Sequence, residues 1–156
     1  MKISFLDSSA LVKRYVTEVG SIWIQALTTP TVPQMIIVAR ITWVEVLSAF
    51  ARLQREGKID SAQMTKTRHI FQYDWETQYQ QVEIDAQVIE TAGQLVQKYP
   101  LRAYDSVQLA AALILYPFFL KIDPKIFTFV SADARLLNIA QAEGLVTENP
   151  NNYPEG

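Results

Sequence analysis

The chain has 156 residues, 49% hydrophobic and 19% charged, which is enough apolar material for a buried core and unlike the composition of a disordered chain. Its net charge of −2 does not mark a general polyanion binder, and the absence of cysteine excludes disulfides, thiolate catalysis and Cys-ligated zinc. The charge is uneven, with nine Lys/Arg and five Asp/Glu in residues 1–70 against five and eleven in residues 71–156, a weak pointer to phosphates or an acidic partner at the first half.

Ile3 to Leu6 reads as a short buried strand that ends at Asp7, and Ser8 and Ser9 are good helix starters. A helix over Ser9 to Val16 and a second over Ser21 to Leu27 follow, then a proline-bearing loop to Gln34. Ile36 to Ile41 is β-branched and nearly continuous, the pattern of an interior parallel strand. Thr42 to about Glu56 is a helix closed by Gly57, and Asp60 opens another that runs into the Phe71 region. Tyr79 to Ile84 is a short strand. Asp85 to Lys98 is amphipathic, Tyr104 to about Leu115 is a more buried helix ending near Pro117, and Ile126 to Val130 is a strand. Ala132 to Glu143 is a helix stopped by Gly144, followed by a short strand over Leu145 to Thr147. Strands alternating with helices imply an α/β fold, a central parallel sheet of about four to five strands flanked by helices on both faces. The expected organisation is one domain over residues 1–149 with a frayed tail over 150–156. No secretory signal pattern is evident, and the apolar stretch Leu109 to Leu120 is too short to span a bilayer. A cytoplasmic protein is expected.

Four carboxylates share one kind of address. Asp7 and Asp133 follow strands, Glu45 lies at the start of the helix after the second strand, and Asp105 lies in the first turn of the very apolar helix that follows Arg102. In a right-handed parallel sheet the strand-to-helix junctions fall at one edge, so these acids would converge there. Four such acids repel one another and raise each other's pKa; a divalent cation would relieve this, and an oxygen-only donor set favours Mg²⁺ or Mn²⁺ over Zn²⁺. Cap-only roles compete at three of the positions: Asp7 as a helix cap, Thr42-x-x-Glu45 as a capping box, and Ser131 or Asp133 as an N-cap. Asp105 is harder to dismiss, because a bare charge beside an apolar helix is costly. Asp60 reads as a cap and nothing more. His69, the single histidine, lies on a polar stretch and reads as solvated, and no Ser/His/Asp arrangement or Gly-rich phosphate loop is present.

These segments together (Phe5-Leu6-Asp7-Ser8-Ser9-Ala10-Leu11-Val12-Lys13-Arg14-Tyr15-Val16, Trp43-Val44-Glu45-Val46-Leu47-Ser48-Ala49-Phe50, Leu101-Arg102-Ala103-Tyr104-Asp105-Ser106-Val107-Gln108-Leu109-Ala110-Ala111-Ala112, and Phe129-Val130-Ser131-Ala132-Asp133-Ala134-Arg135-Leu136-Leu137) resemble the four motif blocks of PIN-domain proteins. They look most like the VapC-like ribonuclease toxins of prokaryotic toxin–antitoxin pairs, and the resemblance runs from residue 3 to about 149. It implies a Rossmann-like PIN domain, a Mg²⁺ or Mn²⁺ cofactor, and endonucleolytic cleavage of RNA, with Asp7, Glu45, Asp105 and Asp133 as the acidic quartet that holds the metal and carries catalysis. Ser8 and Ser131 would donate to the metal-binding acids or to a phosphate, and Arg102 would pair with a carboxylate or hold the RNA backbone. Lys13, Arg14, Arg52 and Arg55 are further candidates for RNA-backbone contact, or solvated helix faces. The same resemblance implies a small antitoxin partner and a homodimer, with Ile22, Trp23, Trp43, Phe50 and Leu53 as a docking surface unless the core takes them. A non-cleaving RNA- or protein-binding module, a metal-dependent DNA nuclease and a phosphatase are the alternatives.

Overall fold

The computed structural model describes residues 1–154. Its sheet is built from β1 (Lys2–Leu6), β2 (Gln34–Ala39), β3 (Gln80–Val82), β4 (Phe127–Val130) and β5 (Thr147–Glu148). All neighbours are parallel and the strand order is β3-β2-β1-β4-β5. The helices are α1 (Ser8–Tyr15), α2 (Ser21–Leu27), α3 (Thr42–Arg55), α4 (Ser61–Thr77), α5 (Ala86–Lys98), α6 (Ala103–Leu120) and α7 (Ala134–Ala142).

Alternation along each strand divides the core between two faces. Ile3 and Phe5 of β1, Ile37 and Ala39 of β2, and Phe127 and Phe129 of β4 face α5, α6 and α7. Leu6, Ile36, Val38 and Val130 face the other way, against Leu11, Ile24, Phe50 and Phe71 of α1 to α4. Sheet and helices therefore form three layers, with β1 central and buried on both sides. The strand order reverses direction at β1, since β2 and β3 lie on one side and β4 and β5 on the other. Such a switch point opens a crevice at the carboxyl ends of β1 and β4.

Four expectations change. Helix α4 continues past Phe71 to Thr77, because Phe71, Asp74 and Trp75 extend its buried stripe. Helix α6 passes through Pro117 to Leu120; a proline in the last turns forfeits one backbone bond where the next residues are exposed, a tolerable loss. At 18 residues and mean hydropathy 1.4, α6 has the length and composition to cross a membrane, contrary to the expectation. Here Leu109 to Ala112 are fully buried against the sheet. The described part of the tail is docked rather than frayed. Pro150–Asn152 forms a 3₁₀ turn, the Tyr153 ring stacks on Trp23 at 4.9 Å, and Tyr153 donates to Glu148 Oε1 at 3.1 Å. Gly20, at φ +84°, lies directly against the Pro150 carbonyl, where a Cβ would collide. Residues 155–156 of the predicted tail lie outside the described residues.

Candidate active site

Each of the four acids is placed by a different junction, and all four line one cleft of ≈ 480 Å³ together with Ser8, Arg52 and Arg102. Asp7 ends β1 and caps α1, its Oδ1 accepting from the Ala10 amide at 3.0 Å. Asp133 follows β4 and caps α7, accepting from the amides of Arg135 at 3.0 Å and Leu136 at 3.3 Å. Glu45 projects from the first turn of α3. Asp105 projects from the first turn of α6, whose helical hairpin with α5 returns it to the same edge. Capping and site-building are thus compatible for Asp7 and Asp133, since each cap uses one carboxylate oxygen.

Serine hydroxyls tie the ends of β1 and β4 together. Ser9 donates to Asp7 Oδ1 at 2.7 Å, lies 3.3 Å from the Ser131 hydroxyl, and accepts from the Ala132 amide at 3.0 Å. Ser131 accepts from the Asp133 amide at 3.0 Å. Ser8 instead reaches across to α3, donating to Glu45 Oε2 at 3.0 Å. The other oxygen, Glu45 Oε1, accepts from Gln108 Nε2 at 2.8 Å, and the same Nε2 lies 2.7 Å from Thr42 Oγ1.

The capping box expected at Thr42-x-x-Glu45 does not form. Thr42 is the first residue of α3, Ile41 stands at the cap with no side-chain bond, and both Glu45 oxygens are taken by residues distant in sequence.

Asp105 is the electrostatic centre. Its charge raises the pKa of both Asp7 and Glu45, and Asp133 in turn raises its own. Burial is the larger cause for all three. Asp7, 3% exposed, is raised from 3.8 to about 6 by burial, with the Ser131 and Ser9 hydroxyls and the Ala10 amide opposing the shift. Glu45 is raised by burial against the bonds from Gln108 and Ser8. Asp105 is raised by burial and Asp133, with Arg102 opposing.

Of the basic residues singled out in the sequence, Arg52 and Arg102 line the cleft, and Arg55 is exposed near the end of α3. Lys13 and Arg14 are corrections. Lys13 is buried and paired with Glu18 at 3.0 Å. Arg14 donates to Gln78 Oε1 at 2.7 Å and to the Tyr79 hydroxyl at 2.8 Å, with Asp74 Oδ2 at 3.4 Å. Both are committed to the fold. Of the proposed docking residues, Phe50 is fully buried, Trp43 and Leu53 are half-buried, Trp23 is covered by Tyr153, and Ile22 is exposed at 60%. His69 is exposed, and Asp60 forms a capping box with Gln63.

Two members of the site were not singled out in the sequence. Ser9 passes for a helix starter. Gln108 was detectable, because it is the polar residue one turn beyond Asp105 in an otherwise apolar buried run.

The donor set is all oxygen and carries up to four negative charges, which fits a hard divalent cation such as Mg²⁺ or Mn²⁺. Among the described residues, no group of three or more acidic or imidazole side chains is already drawn into an ion-binding arrangement. Asp7 and Asp133 each turn one oxygen to a helix terminus, and Glu45 spends both oxygens on Ser8 and Gln108. An ion would have to compete with these bonds, and relief of the mutual repulsion at Asp105 would favour it.

No protein-family model matches the chain. It is 31% identical over 116 residues to Ribonuclease VapC45 of Mycobacterium tuberculosis, covering 72% of this chain and 76% of the relative. Among solved structures, it is similar to VapBC2 of Rickettsia felis bound to a promoter DNA fragment, with a TM-score of 0.61 and 14% identity over 94% of this chain and 98% of the other. VapC20 of M. tuberculosis, a toxin that cleaves the sarcin–ricin loop, gives a TM-score of 0.61 at 14% identity over 92% and 96%. At these identities the two structures speak for the fold.

Proposed function

Because the chain belongs to the VapC ribonuclease family, we propose that it is the endoribonuclease toxin of a toxin–antitoxin pair. We propose further that it is Mg²⁺- or Mn²⁺-dependent, with Asp7, Glu45, Asp105 and Asp133 as the metal-holding and catalytic residues. The observation that carries the site reading is the convergence of four carboxylates, from four separate elements, on one cleft at the switch point of the sheet.

The residues divide the work by their surroundings. A bound divalent ion would supply Lewis-acid polarisation of the phosphodiester and a lowered pKa for an attacking water. Asp7 is fixed by Ser9 and the Ala10 amide, so its carboxylate has one orientation. Glu45 is clamped between Ser8 and Gln108, which fixes the orientation of its carboxylate. Asp105 receives no such clamp and stands where the fields of the other acids meet. Arg102 at the cleft wall offers a cation to a phosphate and tempers the charge of Asp105. Hydrolysis adds water across the P–O bond. Loss of the 3′ oxygen leaves a 5′-phosphate and a 3′-hydroxyl.

A small antitoxin is the expected partner, supported by the toxin–antitoxin complexes among similar structures. The same reading includes a homodimer, which rests on the family resemblance, and a cytoplasmic location, which rests on the cysteine-free composition and the lack of a secretory signal pattern. The test is cleavage of RNA, single-stranded DNA and a phosphomonoester by the wild type and Asp105→Asn, with Mn²⁺ titrated against melting temperature. RNA cleavage that needs the ion and is lost in the variant, with a Mn²⁺-dependent rise in melting temperature for the wild type alone, is the expected result. Cleavage by Asp105→Asn at the wild-type rate would refute the site, and preference for DNA or the monoester would refute the substrate class.

A further inference from the structure

A second cleft of ≈ 510 Å³ opens between the start of α6 and the start of α7, walled by Pro100, Leu101 and Leu136 and carrying Arg102 and Arg135. Arg102, Asp105 and Asp133 line both this cleft and the acidic one. The two therefore adjoin as one groove with Asp105 and Asp133 at the junction.

Neither arginine is held by an ion pair. Both are exposed, and among the described residues neither has a carboxylate within ion-pairing distance, although Asp105 and Asp133 line the same walls. Arg102 is the N-cap residue of α6 and Arg135 lies in the first turn of α7, the helix end where the macrodipole disfavours a cation. What these positions share is the groove. Two guanidinium groups beside the half-buried Leu101 match a nucleotide, whose phosphate takes the bidentate fork and whose sugar or base lies against that wall.

We infer that the Arg102–Arg135 arm of the groove binds the phosphate of the nucleotide adjoining the scissile bond, with Arg135 as a dedicated substrate-binding residue. This rests on the ribonuclease reading above. It sets a path for the RNA strand between Arg52 on the α3 side and Arg135 at α7, across the acids.

The test measures binding of a single-stranded RNA oligonucleotide by fluorescence anisotropy in EDTA, across a salt series, for the wild type, Arg135→Ala and Arg135→Gln, and cleavage kinetics with Mn²⁺. Removing one phosphate contact should weaken binding roughly tenfold and reduce the slope of log affinity against log salt by about 0.7. The kinetic loss should appear in KM more than in kcat. Because Arg135 opposes its helix dipole, the melting temperature of both variants should match or exceed that of the wild type, and Arg135→Gln must show the same change in slope. If the wild type binds RNA and both variants bind it equally with an unchanged slope, the inference is overturned while the ribonuclease reading stands. If the wild type neither binds nor cuts RNA, the ribonuclease reading falls and this inference with it.

Discussion

Replacing Asp7 by Asn should stabilise the protein while abolishing its activity. Burial raises the Asp7 pKa from 3.8 to about 6, so the folded state holds this proton more tightly than the unfolded chain. Between those two values the folded protein carries more protons, and stability therefore falls as pH rises through the window and levels off above it. The shift of about two units corresponds to roughly 3 kcal/mol of penalty at neutral pH. Glu45 and Asp105 are shifted in the same direction and steepen the same slope. Asn keeps an oxygen that can accept from Ala10 and Ser9 and removes the buried charge. After allowance for its ill-matched amide nitrogen, about 2 kcal/mol should remain, or roughly 4–8 °C in melting temperature for a chain of this size. The assay is thermal and urea unfolding of both proteins in EDTA from pH 4 to 8, then with Mn²⁺. The advantage of Asp7→Asn should be largest above pH 6, close towards pH 4, and shrink when Mn²⁺ stabilises the wild type alone. A variant less stable than the wild type by the same amount at every pH would refute the claim that Asp7 is a buried charge held for function.

Two other substitutions separate positioning from packing. Gln108→Leu should preserve the fold, since Gln108 is buried and its Oε1 has no partner to lose, but release Glu45 Oε1; a loss of about 10- to 100-fold in activity or Mn²⁺ affinity is expected, read by cleavage rate and by isothermal titration, and unchanged Mn²⁺ affinity and rate would remove Gln108 from the site. Arg14→Met leaves the buried Asp74 carboxylate with the Tyr15 hydroxyl as its remaining side-chain donor, so stability should fall by about 3 kcal/mol with RNA affinity unchanged; a loss of affinity without a loss of stability would restore Arg14 as a phosphate contact.

The layered α/β architecture and the addresses of the four acids were legible in the sequence because both are local. A nearly continuous β-branched run such as Ile36 to Ile41 suits a strand buried on both faces, and a carboxylate at a strand's end becomes a helix cap through bonds spanning three residues, as at Asp7 and Ala10. Parallel connection then sends every such junction to one edge. Tertiary structure decided what each side chain does once there. Glu45 looked like half of a capping box, yet its partners Ser8 and Gln108 lie 37 and 63 residues away. Lys13 and Arg14 read as phosphate contacts or as a solvated helix face until the packing of α1 committed them to Glu18 and to the α4 network. Pro117 and the tail looked like endings, but α6 runs on to Leu120 and Tyr153 docks on Trp23. Such pairings depend on strand order and on which helix faces meet, terms that local propensity does not contain.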